Sequence, residues 1–414
     1  MKIEIIPGNL SGTVRAIASK SHAHRLLIAS ALARGSNGVN IHTTSQDIEA
    51  TEVCISRFSE DVPVLDCGES GSTLRFLIPV VMALKDEAIF KGRGRLPERP
   101  LSPLKEEMEA HSCHFTMAPA QSSAGTRTIC SISGRLQAGT FTLPGNISSQ
   151  YITGLLFALP LLEKDSRIII TSPLESSRYV DMTLSVLKQY GITIDTELHN
   201  GCPVYTVPGG QKYTEPEGIS AEGDWSNIAF WIIAGILSKE SSIRCTGLAE
   251  NSLQSDRAVT DLAAEMGGLI RNDGGELTAE HCDLNAIEID ASGIPDLIPV
   301  MAVAAATARG TTRIYNAGRL RIKESDRLAA MYDCLSRLGA DITEEPEGLI
   351  IRGVPVLKGG TVSGYNDHRI VMAMAVASIV SDAPVIIEGA EAVNKSYPAF
   401  FEDFKALGGR FNVL

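Results

Sequence analysis

Tyr365-Asn366-Asp367-His368-Arg369-Ile370-Val371-Met372-Ala373-Met374-Ala375-Val376-Ala377-Ser378-Ile379-Val380 is a polar head that opens a long apolar run. A helix that is apolar all round belongs in the middle of a domain. The same arrangement recurs five times upstream. The other heads are Ala18-Ser19-Lys20-Ser21, Gly68-Glu69-Ser70-Gly71, Ile147-Ser148-Ser149-Gln150, Glu222-Gly223-Asp224-Trp225 and Gly293-Ile294-Pro295-Asp296. Apolar runs such as Leu26–Ala33 and Leu74–Leu84 follow them. A spacing of roughly 50–80 residues marks one supersecondary unit copied along a chain. A helix N-terminus presents unpaired N–H groups and about half a positive charge, so six polar helix starts predict sites for anions.

A second helix accompanies each copy. The later ones are Met182–Tyr190, Val259–Met266, Leu328–Leu338 and Phe400–Leu407, each followed by glycine (Gly191, Gly267, Gly339, Gly408), the favoured left-handed cap. Earlier, less regular versions are Asp47–Phe58 and Pro103–His111. Short β-branched strands intervene at Arg167–Thr171, Ser242–Thr246, Thr312–Tyr315 and Val385–Glu388. Alternating strands and helices predict an α/β protein. Val207–Gly223, rich in proline and glycine, reads as a linker with three copies on each side. Two hinged domains of three copies each are therefore expected, as the 414-residue length also suggests.

A formal charge of −12 with 5% aromatic residues argues against nucleic acid or an anionic membrane as partner. Eight cysteines lack any CxxC spacing, which predicts free thiols and a reducing, cytoplasmic setting. His111-Ser112-Cys113-His114 superficially resembles a metal cluster, but neighbours on a helix end point apart, and no metal is expected there. Met1–Ile6 lacks the basic start and apolar stretch of a signal peptide. No apolar run reaches the ~18 residues of a membrane span.

Chemistry concentrates at the heads. Ser19-Lys20-Ser21-His22-Ala23-His24-Arg25 places cations where they oppose the helix dipole, a cost that a bound anion removes. Arg319–Arg327 is the densest charged segment, with Glu324, Asp326 and Arg327 expected in a first helical turn. Asn366–Arg369, the basic loop Lys91–Pro100 and Asn394-Lys395-Ser396 add further cations. Asp224, Asp296, Glu324 and Asp367 share these heads. Carboxylates gain nothing at a pure anion site, but proton transfer needs them. Asp224 and Asp367 read equally well as N-caps.

At these motifs the chain resembles the 5-enolpyruvylshikimate-3-phosphate synthases of the enolpyruvyl transferase family. The likeness spans the whole length: Ser19-Lys20-Ser21…Arg25, Gly71…Arg75, Glu98-Arg99-Pro100, Ser148-Ser149-Gln150, Ile294-Pro295-Asp296, Arg321–Arg327, Asn366–Arg369 and Lys395. The resemblance implies an α/β, two-domain inside-out barrel of six βαβαββ repeats. One domain would comprise residues 1–18 plus 222–414 and the other 19–221, with the active site in the cleft between them. It implies transfer of an enolpyruvyl group from phosphoenolpyruvate to the 5-hydroxyl of shikimate 3-phosphate by addition–elimination, with no metal or organic cofactor, in a monomer. Ser21, Arg25, Ser148, Ser149, Gln150, Ser176, Tyr179, Asp296 and Lys323 would then hold shikimate 3-phosphate. Lys20, Gly71, Arg99, Gln150, Arg327, Arg369 and Lys395 would hold phosphoenolpyruvate, and Lys20, Asp296, Glu324 and Lys395 would be catalytic.

Departures from the family pattern lie at Glu69, where asparagine is usual, at Ser72-Thr73, and at Phe76, where proline is common. An acid beside Gly71 is expected to turn away from a bound anion or to pair with a nearby arginine. Gly71 and the Glu98-Arg99-Pro100 loop resemble the glyphosate-sensitive class. A UDP-N-acetylglucosamine enolpyruvyl transferase would carry a cysteine in the basic loop and asparagine after Lys20; Lys91–Arg99 has no cysteine and Ser21 follows Lys20. Retention of Asp296 and Glu324 argues against an inactive anion-binding homologue.

Overall fold

The computed structural model describes residues 1–34, 38–119 and 125–414. Among them the α-helices are α1 (Lys20–Ala33), α2 (Gln46–Ser56), α3 (Gly71–Leu84), α4 (Leu104–Ala110), α5 (Ser149–Ala158) and α6 (Ser177–Gln189). The second half supplies α7 (Trp225–Leu237), α8 (Val259–Glu265), α9 (Ile298–Thr307), α10 (Arg327–Arg337), α11 (His368–Ala377) and α12 (Phe400–Ala406). Odd-numbered helices open at the polar heads, and even-numbered ones are the second helices. The chain divides into two compact units, Met1–Ser19 with Glu222–Leu414, and Lys20–Ala221.

The copied element is plain in the sheets. Glu288–Asp290 pairs parallel with Thr311–Tyr315, which pairs antiparallel with Gly348–Arg352, which pairs antiparallel with Asp341–Glu345. This order needs a helix after each of the first two strands and then a hairpin. Among the described residues, four further four-stranded sheets repeat it. In two of them the start of the chain supplies a strand. Lys2–Ile6 lies between Val385–Glu388 and Arg410–Val413, and Gly12–Arg15 pairs parallel with Ser242–Thr246. The copy holding α1 and α2 keeps its helices, but among the described residues only an isolated parallel bridge, Asn40 to Ser220, marks its sheet.

The core of the first unit is made by α7, α9 and α11. Every residue of α7 and α11 is buried, as is α9 from Ile298 to Ala306. These three helices pack on one another with the sheets outside them. Each fully buried Ile, Leu or Phe in such a bundle contributes about 1.5–3 kcal/mol of burial. Alanines in α9 and α11 let the backbones approach, which explains a core poor in aromatics. In the second unit α3 and α5 pack together in the same way, with α1 and α6 beside them.

Gly191, Gly267, Gly339 and Gly408 all take positive φ at the ends of second helices, as the cap pattern predicts. Val207–Gly223 is not a free linker. Gln211 bonds the backbone of Thr193 and Pro208, and Tyr213 is buried with its hydroxyl on the Phe157 carbonyl at 2.7 Å. Thr193 and Phe157 lie outside the segment, 18 and 56 residues back, so proline and glycine content alone could not reveal them.

Candidate active-site clusters

In the first unit the starts of α7, α9 and α11 converge. Arg369, in the first turn of α11, donates to Ser226 Oγ at 2.9 Å and to Asp296 Oδ2 at 3.0 Å. Asp224 caps α7 by accepting from Asn227 N at 2.9 Å, and Asp367 caps α11 by accepting from Arg369 N at 3.0 Å. Asp367 has a second role. Its Oδ2 accepts from Arg327 Nε at 2.8 Å and from Ser325 Oγ at 3.0 Å.

Arg327 is the hub. Its guanidinium is only 1% exposed and carries Asp367 on Nε, Asp296 on Nη1 at 2.7 Å and Glu324 on Nη2 at 2.7 Å. A buried charge is tolerable only when paired and hydrogen-bonded. Lys323 stands 3.8 Å from Asp296, and Lys395 donates to the Asn366 carbonyl at 2.5 Å. That carbonyl is presented by two successive left-handed residues, Tyr365 and Asn366. Burial pushes the Asp296 carboxyl up, but Arg369, Lys323 and Arg327 outweigh it and hold it well below the usual carboxylate range. Burial lowers Lys323 to about 8 against the opposing pull of Asp296.

Glu324 lies outside the helix, correcting its expected place in a first turn. Asp326 takes the N-cap of α10, accepting from Ala329 N at 3.1 Å, and Arg327 is the first helical residue. An aspartate one residue before the apolar periodicity competes better for the cap than a glutamate two residues earlier.

The second unit holds a different kind of cluster. Arg25 on α1 is buried, yet its partners are neutral oxygens: Thr183 Oγ1 at 2.8 Å, the Ser21 carbonyl at 2.6 Å, the Tyr179 carbonyl at 2.9 Å and Thr153 Oγ1 at 3.4 Å. The Phe76 ring lies 5.0 Å from its guanidinium carbon and the Tyr179 ring 5.9 Å away, a cation–π setting that gives Phe76 a purpose. Burial lowers Arg25 to about 10, leaving it charged at neutral pH. Ser176 nearby takes left-handed φ just before α6, and Ser148 caps α5 through Gln150 N at 3.3 Å, with Ser149 buried beside it.

Around Gly71 the guanidinium groups of Arg99 and Arg75 come together. A Cβ at position 71 would stand 2.6 Å from Arg99 Nη1 and 2.8 Å from Arg75 Nη1. Arg75 is held by Gln150 Oε1 at 2.9 Å and the Pro100 carbonyl at 3.1 Å, and Gln150 Nε2 donates to Ser72 Oγ at 2.9 Å. Arg99 Nε is buried without a hydrogen-bond partner among the described residues. Lys20 pairs with Asp47 at 2.9 Å. Glu69 turns to the basic loop, its carboxyl lying against Gly94.

The expected site residues thus fall into two groups. Lys20, Ser21, Arg25, Gly71, Arg99, Ser148, Ser149, Gln150, Ser176 and Tyr179 belong to the unit Lys20–Ala221. Asp296, Lys323, Glu324, Arg327, Arg369 and Lys395 belong to the other. Partners that the motifs did not single out are Asp47, Ser226 and the carboxylate of Asp367 on Arg327. The first two come from other elements and leave no local signal. His111 is occupied structurally, its Nδ1 on the Glu107 carbonyl and its ring stacked on Phe141 at 3.8 Å.

Residues 38–404 match the family described as EPSP synthase (3-phosphoshikimate 1-carboxyvinyltransferase). The chain belongs to the EPSP synthase family. It is 41% identical to the 3-phosphoshikimate 1-carboxyvinyltransferase of Clostridium novyi, covering 98% of this chain and 97% of that one. It is 42% identical to the enzyme of the same name from Clostridium perfringens, covering 99% and 98%. Among solved structures, an EPSP synthase from Acinetobacter baumannii superposes with a TM-score of 0.77 at 23% identity, both chains covered in full. The enolpyruvyl transferase NikO from Streptomyces tendae gives 0.76 at 19% identity, with 99% and 98% covered. These structural likenesses establish the shared two-domain α/β fold. No described helix is long and apolar enough to cross a membrane.

Proposed function

We propose that the chain transfers the enolpyruvyl group of phosphoenolpyruvate to the 5-hydroxyl of shikimate 3-phosphate and releases phosphate. One observation carries the assignment of the chemistry: a single buried guanidinium, Arg327, holds both Asp296 and Glu324 at 2.7 Å. Two carboxylates fixed by one cation suit a reaction with two proton transfers.

The unit Lys20–Ala221 supplies the cations Lys20, Arg25 and Arg99, of which Lys20 pairs with Asp47. Arg25, whose hydrogen-bond partners among the described residues are neutral oxygens, is suited to an anionic substrate, because a phosphate would supply the counter-charge. Ser21, Ser148, Ser149, Gln150, Ser176 and Tyr179, with Asp296 and Lys323, complete the proposed set for shikimate 3-phosphate. Lys20, Gly71, Arg99, Gln150, Arg327, Arg369 and Lys395 are proposed for phosphoenolpyruvate. Guanidinium groups bind its carboxylate and phosphate bidentately, each bond about twice as strong as a neutral one. A Cβ-free residue at 71 is what lets Arg99 and Arg75 lie so close to the start of α3.

In the proposed sequence, Asp296 takes the 5-hydroxyl proton as the hydroxyl oxygen attacks C2 of phosphoenolpyruvate. Glu324 delivers a proton to C3, and a tetrahedral ketal phosphate results. Phosphate then leaves, carrying away the hydroxyl proton that Asp296 had taken, as a C3 proton returns to Glu324, with Lys20 and Lys395 stabilising charge on the phosphoenolpyruvate oxygens. The low affinity of Asp296 for protons in the free protein fits this scheme only if substrate arrives first. Carboxylate and phosphate groups beside Arg369, Arg327 and Lys323 offset the cations that depress Asp296, and its basicity rises when the substrates are bound. The free thiols suit a reducing cytoplasm.

The test is phosphate release from phosphoenolpyruvate that depends on shikimate 3-phosphate. Glu324→Gln is expected to bind both substrates and to lose most turnover. Unchanged turnover in that variant removes Glu324 from the chemistry.

A further inference from the structure

Arg321 lies outside both proposed substrate sets, yet its side chain is tied on every nitrogen. Nε donates to the Pro346 carbonyl at 2.9 Å and Nη2 to the Glu345 carbonyl at 2.8 Å. Nη1 donates to Glu344 Oε1 at 2.6 Å and to both carboxylate oxygens of Asp326, at 3.2 and 3.0 Å. Three of these acceptors sit on the hairpin formed by Asp341–Glu345 and Gly348–Arg352. The fourth, Asp326, is the N-cap of α10.

Ile322, Lys323, Glu324 and Ser325 lie between Arg321 and Asp326, so the bond from residue 321 to residue 326 closes a short loop around them. The hairpin bonds fix that loop to the sheet. The loop is also held from within by the Ser325 hydroxyl on Asp367 at 3.0 Å, by Glu324 on Arg327 at 2.7 Å and by Lys323 beside Asp296 at 3.8 Å. The 3-10 turn Gly318–Ile322 ends inside this loop, and the following span Lys323–Ser325 has no regular secondary structure. A planar five-donor group whose bonds radiate to fixed partners adds stiffness here.

We propose that Arg321 is a positioning residue: it closes the 321–326 loop and braces it on the hairpin, and so sets where Lys323 and Glu324 point. The inference rests on the proposed roles of those two residues. Arg321 makes no call on substrate, since its nitrogens are directed to the hairpin and to Asp326. Displacing a reacting group by about 1 Å costs on the order of a hundredfold in rate. Loss of the brace therefore falls on turnover through Glu324 and, through Lys323, on the affinity for shikimate 3-phosphate.

The experiment compares Arg321→Gln, Arg321→Lys and Glu344→Gln in the full chain, with Glu324→Gln as reference, measuring shikimate 3-phosphate-dependent phosphate release and thermal unfolding. Arg321→Gln should lower kcat by about 10- to 100-fold, with KM for phosphoenolpyruvate within about twofold and KM for shikimate 3-phosphate raised. Arg321→Lys should rescue little, because an ammonium cannot reproduce the fork. Glu344→Gln, which loosens one hairpin tie and keeps the arginine, should lower kcat a few-fold without a change in unfolding temperature; it carries the test if the Arg321 variants do not fold. Full kcat in folded Arg321→Gln, or in Glu344→Gln when that is the variant that carries the test, overturns the inference. So does a loss that appears only as a raised KM. Full turnover in Glu324→Gln sinks the proposed chemistry instead, so the two failures are distinguishable.

Discussion

Gly71→Ala should weaken phosphoenolpyruvate binding while leaving the protein folded. Ordinary contact to a Cβ begins at about 3.4 Å, so a methyl at 71 needs Arg99 Nη1 to retreat by about 0.8 Å from 2.6 Å and Arg75 Nη1 by about 0.6 Å from 2.8 Å. Arg75 has little room, held by Gln150 and the Pro100 carbonyl with the Tyr151 ring 5.7 Å away. Arg99 therefore moves most. A guanidinium–oxyanion bond of ~2.8 Å stretched by such an amount falls outside hydrogen-bonding range. Losing one charge-assisted bond costs about 1.5–3 kcal/mol, or roughly 10- to 150-fold in affinity. Alanine favours the helix by up to ~1 kcal/mol over glycine, which offsets part of the crowding, so thermal stability should change little. The assay is steady-state phosphate release with each substrate varied in turn. KM for phosphoenolpyruvate should rise by that factor and KM for shikimate 3-phosphate should stay within about twofold. Because the effect runs through Arg99, adding Gly71→Ala to Arg99→Ala should cost little more. An unaltered phosphoenolpyruvate KM, or full additivity of the two changes, would refute the reasoning.

Arg25→Met should weaken shikimate 3-phosphate binding by at least tenfold and lower the unliganded unfolding temperature somewhat, because the Thr183, Ser21 and Tyr179 oxygens that Arg25 bonds are left without it. Calorimetric binding and a melting curve on the same sample decide it. Asp367→Asn leaves Arg327 short of one buried counter-charge and should destabilise the protein by about 3 kcal/mol, read by denaturant unfolding. Lys323, lowered by burial to about 8, should give shikimate 3-phosphate binding a basic limb near that pH, protonated and binding below it, weak above; Lys323→Arg should move the limb upward. In the unliganded protein the same group is linked to stability. Between about 8 and the ordinary lysine value of 10.5 the unfolded chain holds a proton that the native state has shed, so its contribution rises with pH across that window. Glyphosate should inhibit competitively with phosphoenolpyruvate, and indifference to it would set the Gly71 environment apart from the sensitive class.

The fold was legible because its periodicities are strong. The apolar runs after the heads became the buried α3, α7 and α11, and four cap glycines stand where the pattern put them. Strands Ser242–Thr246 and Val385–Glu388 match residue for residue. The start of α6 was less legible: Ser177-Arg178-Tyr179 is a polar first turn that apolar spacing cannot see. In the site, residue types were readable and partners were not. That Arg327 would meet Asp296 and Asp367 depends on three helix starts converging, and that Lys20 would meet Asp47 depends on how α1 and α2 pack. Glu324 was misplaced because Glu-Ser-Asp before an apolar helix reads as a first turn until the cap is known.

The strand Lys2–Ile6 finds its partners only at Val385–Glu388 and Arg410–Val413. On a ribosome adding about 5–20 residues per second, that strand waits roughly 20–80 s before its sheet can close. The segment Lys20–Ala221 is continuous and meets no such delay. Throughout the wait Ile3 and Ile5, fully covered in the finished sheet, are bare. Such a segment is a template for wrong pairing. Lys2 and Glu4 alternate with the isoleucines and act as charged gatekeepers on the growing chain. Replacing those two charges with apolar residues should leave the melting temperature of the purified enzyme nearly intact, yet lower the soluble yield of its synthesis.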